Sequence, residues 1–203
     1  MSINRLFHLV ALPSPSIIEF INYWKPFYKD KNEELYALNV NLPTFNKSNL
    51  EDLFHWKNGM TLKGSGKKEK AFNDKIVPKI DSINKLKKLA SIDIEHFNLE
   101  YENVSAVWRI FLLHLIKPNT YPIYDQNIHR TYSFINNLDW QSIKSTMSEK
   151  SKLNFYFDTY LPFVNALKIN SLKDFDEAFF AFGQFINTRN NRRIFYSKFE
   201  PIF

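Results

Sequence analysis

Asp125 is the residue whose type and position most clearly suggest chemistry. It follows an apolar run over 107–116 that ends at Lys117 and Pro118, and it directly precedes a second segment with helical spacing. An aspartate at a helix start can accept hydrogen bonds from backbone N–H groups and is favoured by the helix dipole. The position therefore predicts either a simple helix cap or a carboxylate held in place for electrostatic or general-base catalysis.

Most other kinds of catalytic site lack the residues that they need. The chain has no cysteine, which excludes disulfides, thiol catalysis and cysteine-held zinc or iron–sulfur sites. Its five histidines include no pair spaced for a helical metal site, so we predict no metal and no cofactor. We interpret His114, on the apolar run, as a core histidine. His129 lies one turn after Asp125 and either pairs with it or faces solvent.

The elements that position these residues are predicted to be helices. Glycine occurs only four times, and the prolines stand mainly between segments with helical spacing. Helices are predicted over 15–28, 48–56, 71–90 with an interruption near Pro78, 91–102, 103–116, 126–136, within 139–150, over 151–168 with a break at Pro162, and from Ser171 onward. The 103–116 segment is apolar on most sides, which places it in the middle of a bundle. A short extended segment near 35–42 is the one exception to an all-α fold.

Length and composition predict a single globular unit over residues 1–203. Hydrophobic residues make up 44% of the chain and charged residues 24%, as in globular proteins, and the aromatic content of 17% predicts an aromatic core. The first residues are too weakly apolar for a secretory signal, and no stretch approaches the roughly 20 apolar residues of a membrane span. We therefore expect a monomeric protein of the cytoplasm with no membrane partner.

Positive charge is concentrated in one part of the chain, which has a net charge of +6. The segment 63–88, called here the basic strip, contains nine lysines and three acidic residues. A strip of this kind either faces nucleic-acid phosphate or is a solvated helix face. A smaller cluster, Arg189, Arg192 and Arg193, suits bidentate phosphate contacts or solubilises the chain end.

The stretch around Asp125 resembles the core of the helix-hairpin-helix DNA glycosylases. In that family a buried helix and a connector are followed by the pattern Pro-Ile-x-Asp-x-x-Ile-x-Arg. The matching residues in this sequence are Pro122, Ile123, Asp125, Ile128 and Arg130. The C-terminal DEAFFAFGQFI is similar to the last pocket helix of the 8-oxoguanine glycosylase branch. The resemblance covers residues 48–187.

The resemblance implies an all-α DNA glycosylase that hydrolyses the N-glycosidic bond of a damaged or modified base, with DNA as its partner. Asp125 would be the catalytic carboxylate, because breaking that bond develops positive charge on the sugar. Asp176 and Phe180 would read and stack on the extruded base, with Trp56 and Gln126 as weaker candidates. The DNA backbone would be contacted by Lys63, Lys67, Lys68, Lys70, Arg130 and Arg189.

The sequence departs from the family pattern at two places. The hairpin segment, 99–106, has no glycine and carries Glu100 and Glu102 where backbone amides would meet phosphate. No lysine lies between Lys88 and Lys117, where bifunctional members carry their nucleophile. These departures predict a monofunctional enzyme that holds DNA mainly through other parts of the chain, either in DNA repair or in defence against modified foreign DNA.

Each of these roles has a structural alternative. Asp125 can be a helix cap only, Trp56 and Phe180 can be core residues, Asp176 can be an exposed first-turn residue, and Arg130 can be an ion-pairing residue. On that interpretation the protein is a non-catalytic nucleic-acid-binding module, or a helical protein-interaction protein. A cleft beside the Asp125 carboxylate would favour the enzyme, and its absence would exclude it.

Overall fold

The computed structural model describes residues 16–144 and 146–188, and within these ranges the chain forms helices and loops with no strand. The all-α prediction is confirmed. The α-helices are α1 (Ile17–Trp24), α2 (Glu33–Asn39), α3 (Lys47–Asn58), α4 (Lys67–Lys75), α5 (Ile80–Lys88), α6 (Ile94–Glu100), α7 (Ala106–Ile116), α8 (Gln126–Ile135), α9 (Glu149–Asn154), α10 (Leu161–Ala166) and α11 (Leu172–Asn187). Short 3₁₀ turns occupy Lys25–Phe27 and Val77–Lys79, and a π-helix occupies Phe155–Tyr160.

Helix α7 lies at the centre of the bundle, as its apolar character predicts. Ten of its eleven residues are buried, including Arg109 and His114. Its aromatic residues join a core that includes Phe54, Trp56 and Phe111. Phe54 meets Phe111 edge to face at 5.4 Å between ring centroids, and Trp56 stacks on Phe111 at 5.8 Å.

Three local predictions differ from the structure. Residues 35–42 are not extended, because Tyr36 and Val40, spaced four apart, both turn a buried face to the core along and just after α2. Residues 139–144 do not form a helix, because Asp139 Oδ1 accepts the N–H groups of Gln141 and Ser142 and closes a turn. The cap of α3 is Asn46, two residues before the predicted start of this helix at Ser48.

The predicted break at Pro162 takes an unexpected form. The chain continues from α9 through the π-helix into α10, and Pro162 lies in the first turn of α10. Proline is tolerated there because its missing N–H is not needed in a first helical turn. The wide π-helical turn places Tyr156 and Tyr160 together on the buried side.

Helices α8 and α11 approach each other more closely than ordinary side chains allow. A Cβ atom built on Gly183 would lie 2.1 Å from the carbonyl oxygen of Asn127. Thr131 Oγ1 also donates a hydrogen bond of 2.6 Å to the Phe179 carbonyl of α11. This contact fixes the start of α8, and with it Asp125, against the C-terminal helix.

None of the helices in the described ranges is both long and apolar enough to cross a membrane.

Candidate active site

Asp125 caps α8 and keeps one carboxylate oxygen out of the cap. Its Oδ1 accepts the backbone N–H groups of Asn127 at 2.7 Å and Ile128 at 2.9 Å. Hydrogen bonds to Oδ2 are absent among the residues that the structure describes. The side chain is therefore oriented by its own helix start, while the second oxygen is left for another partner.

The connector between α7 and α8 holds Asp125 through contacts with distant helices. His114 Nδ1 of α7 donates to the Tyr121 carbonyl at 2.8 Å, since a carbonyl can only accept. The Tyr156 hydroxyl of the π-helix donates to the Pro122 carbonyl at 2.9 Å. Two buried side chains from separate elements therefore fix the first half of the connector.

The second half of the connector is fixed in the same way. The Ile123 N–H donates to Asp176 Oδ2 of α11 at 2.8 Å. Lys57 Nζ of α3 donates to the Tyr124 carbonyl at 2.9 Å, immediately before Asp125. Four elements of the bundle therefore converge on four consecutive connector residues, which preorganises the carboxylate that follows them.

A cleft of about 220 Å³ opens beside Asp125. Three of the four residues predicted to form a base pocket, Trp56, Asp176 and Phe180, line this cleft together with Asp125. Tyr28, which the sequence did not single out, adds a third aromatic wall and meets Phe180 edge to face at 5.7 Å. The structure thus brings these residues into one site, and the cleft required by the enzyme interpretation is present.

A polar network holds the aromatic wall in place. Glu33 Oε2 accepts the Tyr28 hydroxyl at 3.0 Å and the Trp56 indole N–H at 2.9 Å. Lys173 pairs with Glu33 at 2.6 Å and with Glu177 at 3.2 Å. Its ammonium also lies 5.1 Å from the centre of the Trp56 ring. Trp56 is thus both a core residue and a rigid surface of the cleft.

More carboxylates than lysines line the cleft. Its walls contain four carboxylates and two lysines, namely Asp30, Asp125, Asp176, Glu177, Lys57 and Lys173. Asp176 is 4% exposed and has no ion pair among the described residues. Burial raises the pKa of the Asp176 carboxyl well above its ordinary value, outweighing the opposing effect of the Ile123 N–H. Burial therefore favours the protonated form of Asp176 more than it would for an exposed aspartate.

Lys57 is the second perturbed group. Its side chain is partly exposed, yet its amine lies deep in the cleft wall. Burial lowers the pKa of the Lys57 amine, against the opposing charges of Asp125 and Asp176. Burial of this kind disfavours the ammonium relative to the neutral amine.

Two predicted site residues lie elsewhere. Gln126 is exposed and is not part of the cleft wall, because its Oε1 accepts a 2.9 Å bond from Arg130. Arg130 is buried, and its guanidinium also bonds to Asn127 Oδ1 at 2.9 Å and to the Ile143 carbonyl at 3.0 Å. The predictions of Gln126 in the pocket and Arg130 on phosphate are therefore corrected: both residues brace the first turn of α8.

The two histidines near the site are buried and form hydrogen bonds with tyrosine hydroxyls. His114 is a core histidine, as predicted, and its Nε2 lies 2.6 Å from the Tyr36 hydroxyl. His129 neither pairs with Asp125 nor faces solvent. It is buried, shares a 3.0 Å hydrogen bond with the Tyr124 hydroxyl and stacks on Phe155 with 3.5 Å between ring centroids.

The lysines of the basic strip fall into two groups. Lys63, Lys67, Lys68 and Lys70 are exposed, although Lys70 forms an i,i+4 ion pair with Asp74 at 2.9 Å. Others bind backbone carbonyls: Lys75 binds Asn103, Lys79 binds Glu100 and Lys87 binds Leu115. Part of the strip is therefore structural, and part is free to face a polyanion.

Arg189, Arg192, Arg193 and His8 lie outside the described residues.

The glycine-free segment between α6 and α7 is stabilised from within. The buried Arg109 guanidinium donates to the carbonyls of Glu102 at 2.6 Å and Val104 at 3.1 Å. The first N–H of α7, on Ala106, donates to the carboxylate of Glu149. A carboxylate of the same chain thus occupies the place where helix amides would meet a phosphate.

Lys57, Tyr28 and Tyr156 are the site residues that the sequence did not reveal. Lys57 lies in the last turn of α3, where a lysine ordinarily serves its own helix carbonyls. Its contact with Tyr124 spans 67 residues and leaves no local signal. Tyr28 and Tyr156 are two of ten tyrosines in an aromatic chain, and their spacing indicates core packing only.

Comparisons of this chain with protein-family models, with curated proteins and with solved structures found no match.

Proposed function

We propose that this protein is a DNA glycosylase in which Asp125 is the catalytic carboxylate. The observation that carries the proposal is the placement of Asp125. Its Oδ1 is held by two backbone N–H groups, and it borders a cleft lined by Tyr28, Trp56, Phe180 and the buried Asp176. A fixed carboxylate beside an aromatic cleft suits a reaction that develops positive charge on a sugar next to a stacked base.

The reaction follows from these positions. The target nucleotide leaves the DNA stack and its base enters the aromatic cleft. As the bond between the sugar C1′ and the base nitrogen breaks, the ionised Asp125 stabilises the positive charge on the sugar. A water molecule then attacks C1′ and passes a proton to Asp125 as general base. The departing base takes up a proton and Asp125 gives its own back to solvent, so that the products are the free base and an abasic sugar.

The DNA would be held by exposed lysines rather than by the segment before α7. Lys63, Lys67 and Lys68 are exposed, whereas the first amide of α7 already binds Glu149. DNA is thus the proposed partner, and we expect a monomer acting in the cytoplasm in DNA repair or in defence against modified foreign DNA.

Substitution of Asp125 by asparagine tests the proposal. Asparagine caps a helix as well as aspartate does, so the fold and DNA binding should persist while the negative charge is lost. Base release from DNA carrying a panel of damaged and modified bases, followed by mass spectrometry, should fall by about 100-fold or more. Asp93→Asn is the matched control, because Asp93 caps α6 outside the cleft. Undiminished release by Asp125→Asn would rule out this mechanism.

A non-catalytic nucleic-acid-binding protein is the second candidate. The observation in its favour is that Asp125 has a complete structural role as the cap of α8. This candidate predicts salt-dependent DNA binding by the wild type with no base released from any member of the panel. The same experiment therefore decides between the two functions.

A further inference from the structure

Lys57 stands at the wall of the cleft with part of its hydrogen-bonding capacity unused. Its ammonium has three N–H donors, and one of them binds the Tyr124 carbonyl at 2.9 Å. Among the described residues, the Tyr124 carbonyl is the one hydrogen-bond partner of the Lys57 amine. No carboxylate of those residues forms an ion pair with it. The Phe111 ring lies 5.7 Å from Nζ on the core side. The remaining N–H groups are therefore available to a molecule in the cleft.

Lys173, the other lysine of the cleft, is by contrast already paired with carboxylates and aromatic rings of the chain. Glu33 and Glu177 neutralise its charge, and the rings of Tyr36 and Trp56 lie 4.3 and 5.1 Å from its ammonium. The hydrogen-bonding and charge interactions of the Lys173 ammonium are therefore taken up by residues of the chain itself. Of the two amines in the cleft wall, Lys57 is the one suited to proton transfer.

We propose that Lys57 is a second catalytic residue of the cleft, the general acid that protonates the departing base. The inference rests on the proposed glycosylase function and adds to it the kind of base that is released. Neutral bases need such an acid, because without a proton they depart as anions. The cleft would therefore act on neutral damaged or modified bases and not only on bases that are already cationic.

The step balances with one water molecule. The electron pair of the C1′–N bond moves to the base, and a proton from Lys57 Nζ joins a ring nitrogen or carbonyl oxygen of that base. Water adds to C1′ and gives its proton to Asp125. The proton returns from Asp125 to the Lys57 amine through solvent, which restores both groups. Throughout the step the neutral amine keeps an N–H for the Tyr124 carbonyl.

The surrounding charges are compatible with this role. Asp125 and Asp176 act on Lys57 from the connector and from α11. Asp30, Glu177 and Lys173 line the same cleft. The pKa of the amine is lowered by burial in spite of the two nearest carboxylates. A lowered pKa makes the ammonium a stronger acid and brings it closer to the working pH, which favours proton transfer.

The first test measures the titration of Lys57 without any substrate. NMR of the full chain with ¹³C-labelled lysine should show two side chains that titrate below the ordinary value of about 10.4. One is the partly buried Lys87, whose pKa burial and the charge of Lys117 lower to about 8, and the other is Lys57. The Lys57 signal should be missing from Lys57→Arg. Lys150→Arg, on the exposed side of α9, is the matched control and should retain it. A Lys57 amine that titrates at the ordinary value overturns the inference, whatever the enzyme does.

The second test compares leaving groups. Lys57→Arg keeps the positive charge but is a very weak acid, and Lys57→Gln keeps a donor for the Tyr124 carbonyl. Both variants should release a neutral base, such as 8-oxoguanine or hypoxanthine, about 10²–10⁴-fold more slowly than the wild type. Release of 7-methylguanine, which carries its own positive charge and leaves as a neutral molecule, should fall less than about tenfold. Thermal melts of both variants show that the fold persists.

The outcomes separate this inference from the proposed function. Equal losses for neutral and cationic bases, or no loss at all, contradict the general acid while leaving Asp125 as the catalytic carboxylate. A covalent adduct between Lys57 and an abasic oligonucleotide, trapped with borohydride, would also overturn it, because it would make Lys57 a nucleophile. If the wild type releases no base of either kind, the proposed function itself fails and this step fails with it.

Discussion

At the scale of single residues, the site depends on groups whose charge is suppressed by burial. His114 is 1% exposed and His129 is 5% exposed. Burial lowers the pKa of His114 to about 3, and burial together with the charge of Arg130 lowers the pKa of His129 to about 4. Both rings are therefore neutral at neutral pH, and His114 can hold the Tyr121 carbonyl in a single tautomer.

These shifts predict a loss of stability in mild acid. The unfolded chain protonates both histidines below about pH 6.5, whereas the folded chain keeps them neutral down to about pH 4. The raised pKa of Asp176 acts in the opposite sense, because the folded chain binds one proton that the unfolded chain lacks above about pH 3.9. The two histidines should therefore lower the free energy of unfolding as the pH falls from about 6 to 4.5. The loss should stay below about 2.7 kcal/mol per pH unit, because Asp176 offsets part of it.

Urea unfolding across this range measures the effect, and imidazole NMR identifies its source. The His114 and His129 rings should show no titration between pH 7 and 5. A midpoint near 6.5 for either ring would contradict the prediction, since 6.5 is the ordinary value for an exposed histidine.

At the scale of elements, the contact between α8 and α11 decides where Asp125 lies. Asn127 follows the capping residue by two positions, and its backbone rests against Gly183. Any larger residue at 183 has to push the start of α8 away. The glycine is thus required by close approach of two helices and not by its own backbone conformation, which is helical.

Gly183→Ala should destabilise the protein despite the better helix propensity of alanine. The new Cβ would lie 2.1 Å from the Asn127 carbonyl oxygen, and relieving the clash should cost about 1–3 kcal/mol against a gain of about 1 kcal/mol. Denaturant titration measures the net change. Gln184→Ala, one residue along on the exposed side, is the matched control. A Gly183→Ala protein as stable as that control would show that the two helices separate easily.

At the scale of the whole molecule, the positive charge is divided between structure and surface. Lys87 binds the Leu115 carbonyl near the end of α7, and Lys117 binds the Lys87 carbonyl near the end of α5, so these two lysines join neighbouring helix ends. The exposed lysines 63, 67 and 68 follow α3, the helix that supplies Trp56 and Lys57 to the cleft. The free part of the basic strip is therefore connected directly to an element of the site.

Neutralising Lys63, Lys67 and Lys68 with glutamine should weaken DNA binding and flatten its salt dependence. Each lost phosphate contact should reduce the slope of log affinity against log salt by about one unit. Lys70 should contribute less because Asp74 already pairs with it. The control is the same charge change at Lys47, Lys150 and Lys168, which are exposed and lie outside the strip. Equal slopes for the two triple variants would show that the strip is only a solvated surface.

The sequence by itself determined the all-α class, the buried central helix, the cap formed by Asp125 and the start of α11 at Ser171. These features depend on hydrophobic spacing and on side chains that bond to their own backbone within a few residues. The same local signals also placed Asp176 and Phe180 on one helix. The assignment of Asp125 and its neighbours to a glycosylase stays a prediction that the experiments above test.

Only the tertiary structure decided which residues meet at Asp125. Lys57 reaches the connector across 67 residues and Asp176 across 53, and no periodicity or capping pattern encodes such pairs. Tertiary burial also reversed expectations for Arg130 and His129, which face inward because α8 packs on α11 and on the π-helix. The physical reason is that buried polar groups must find partners wherever packing places them, and those partners come from distant parts of the chain.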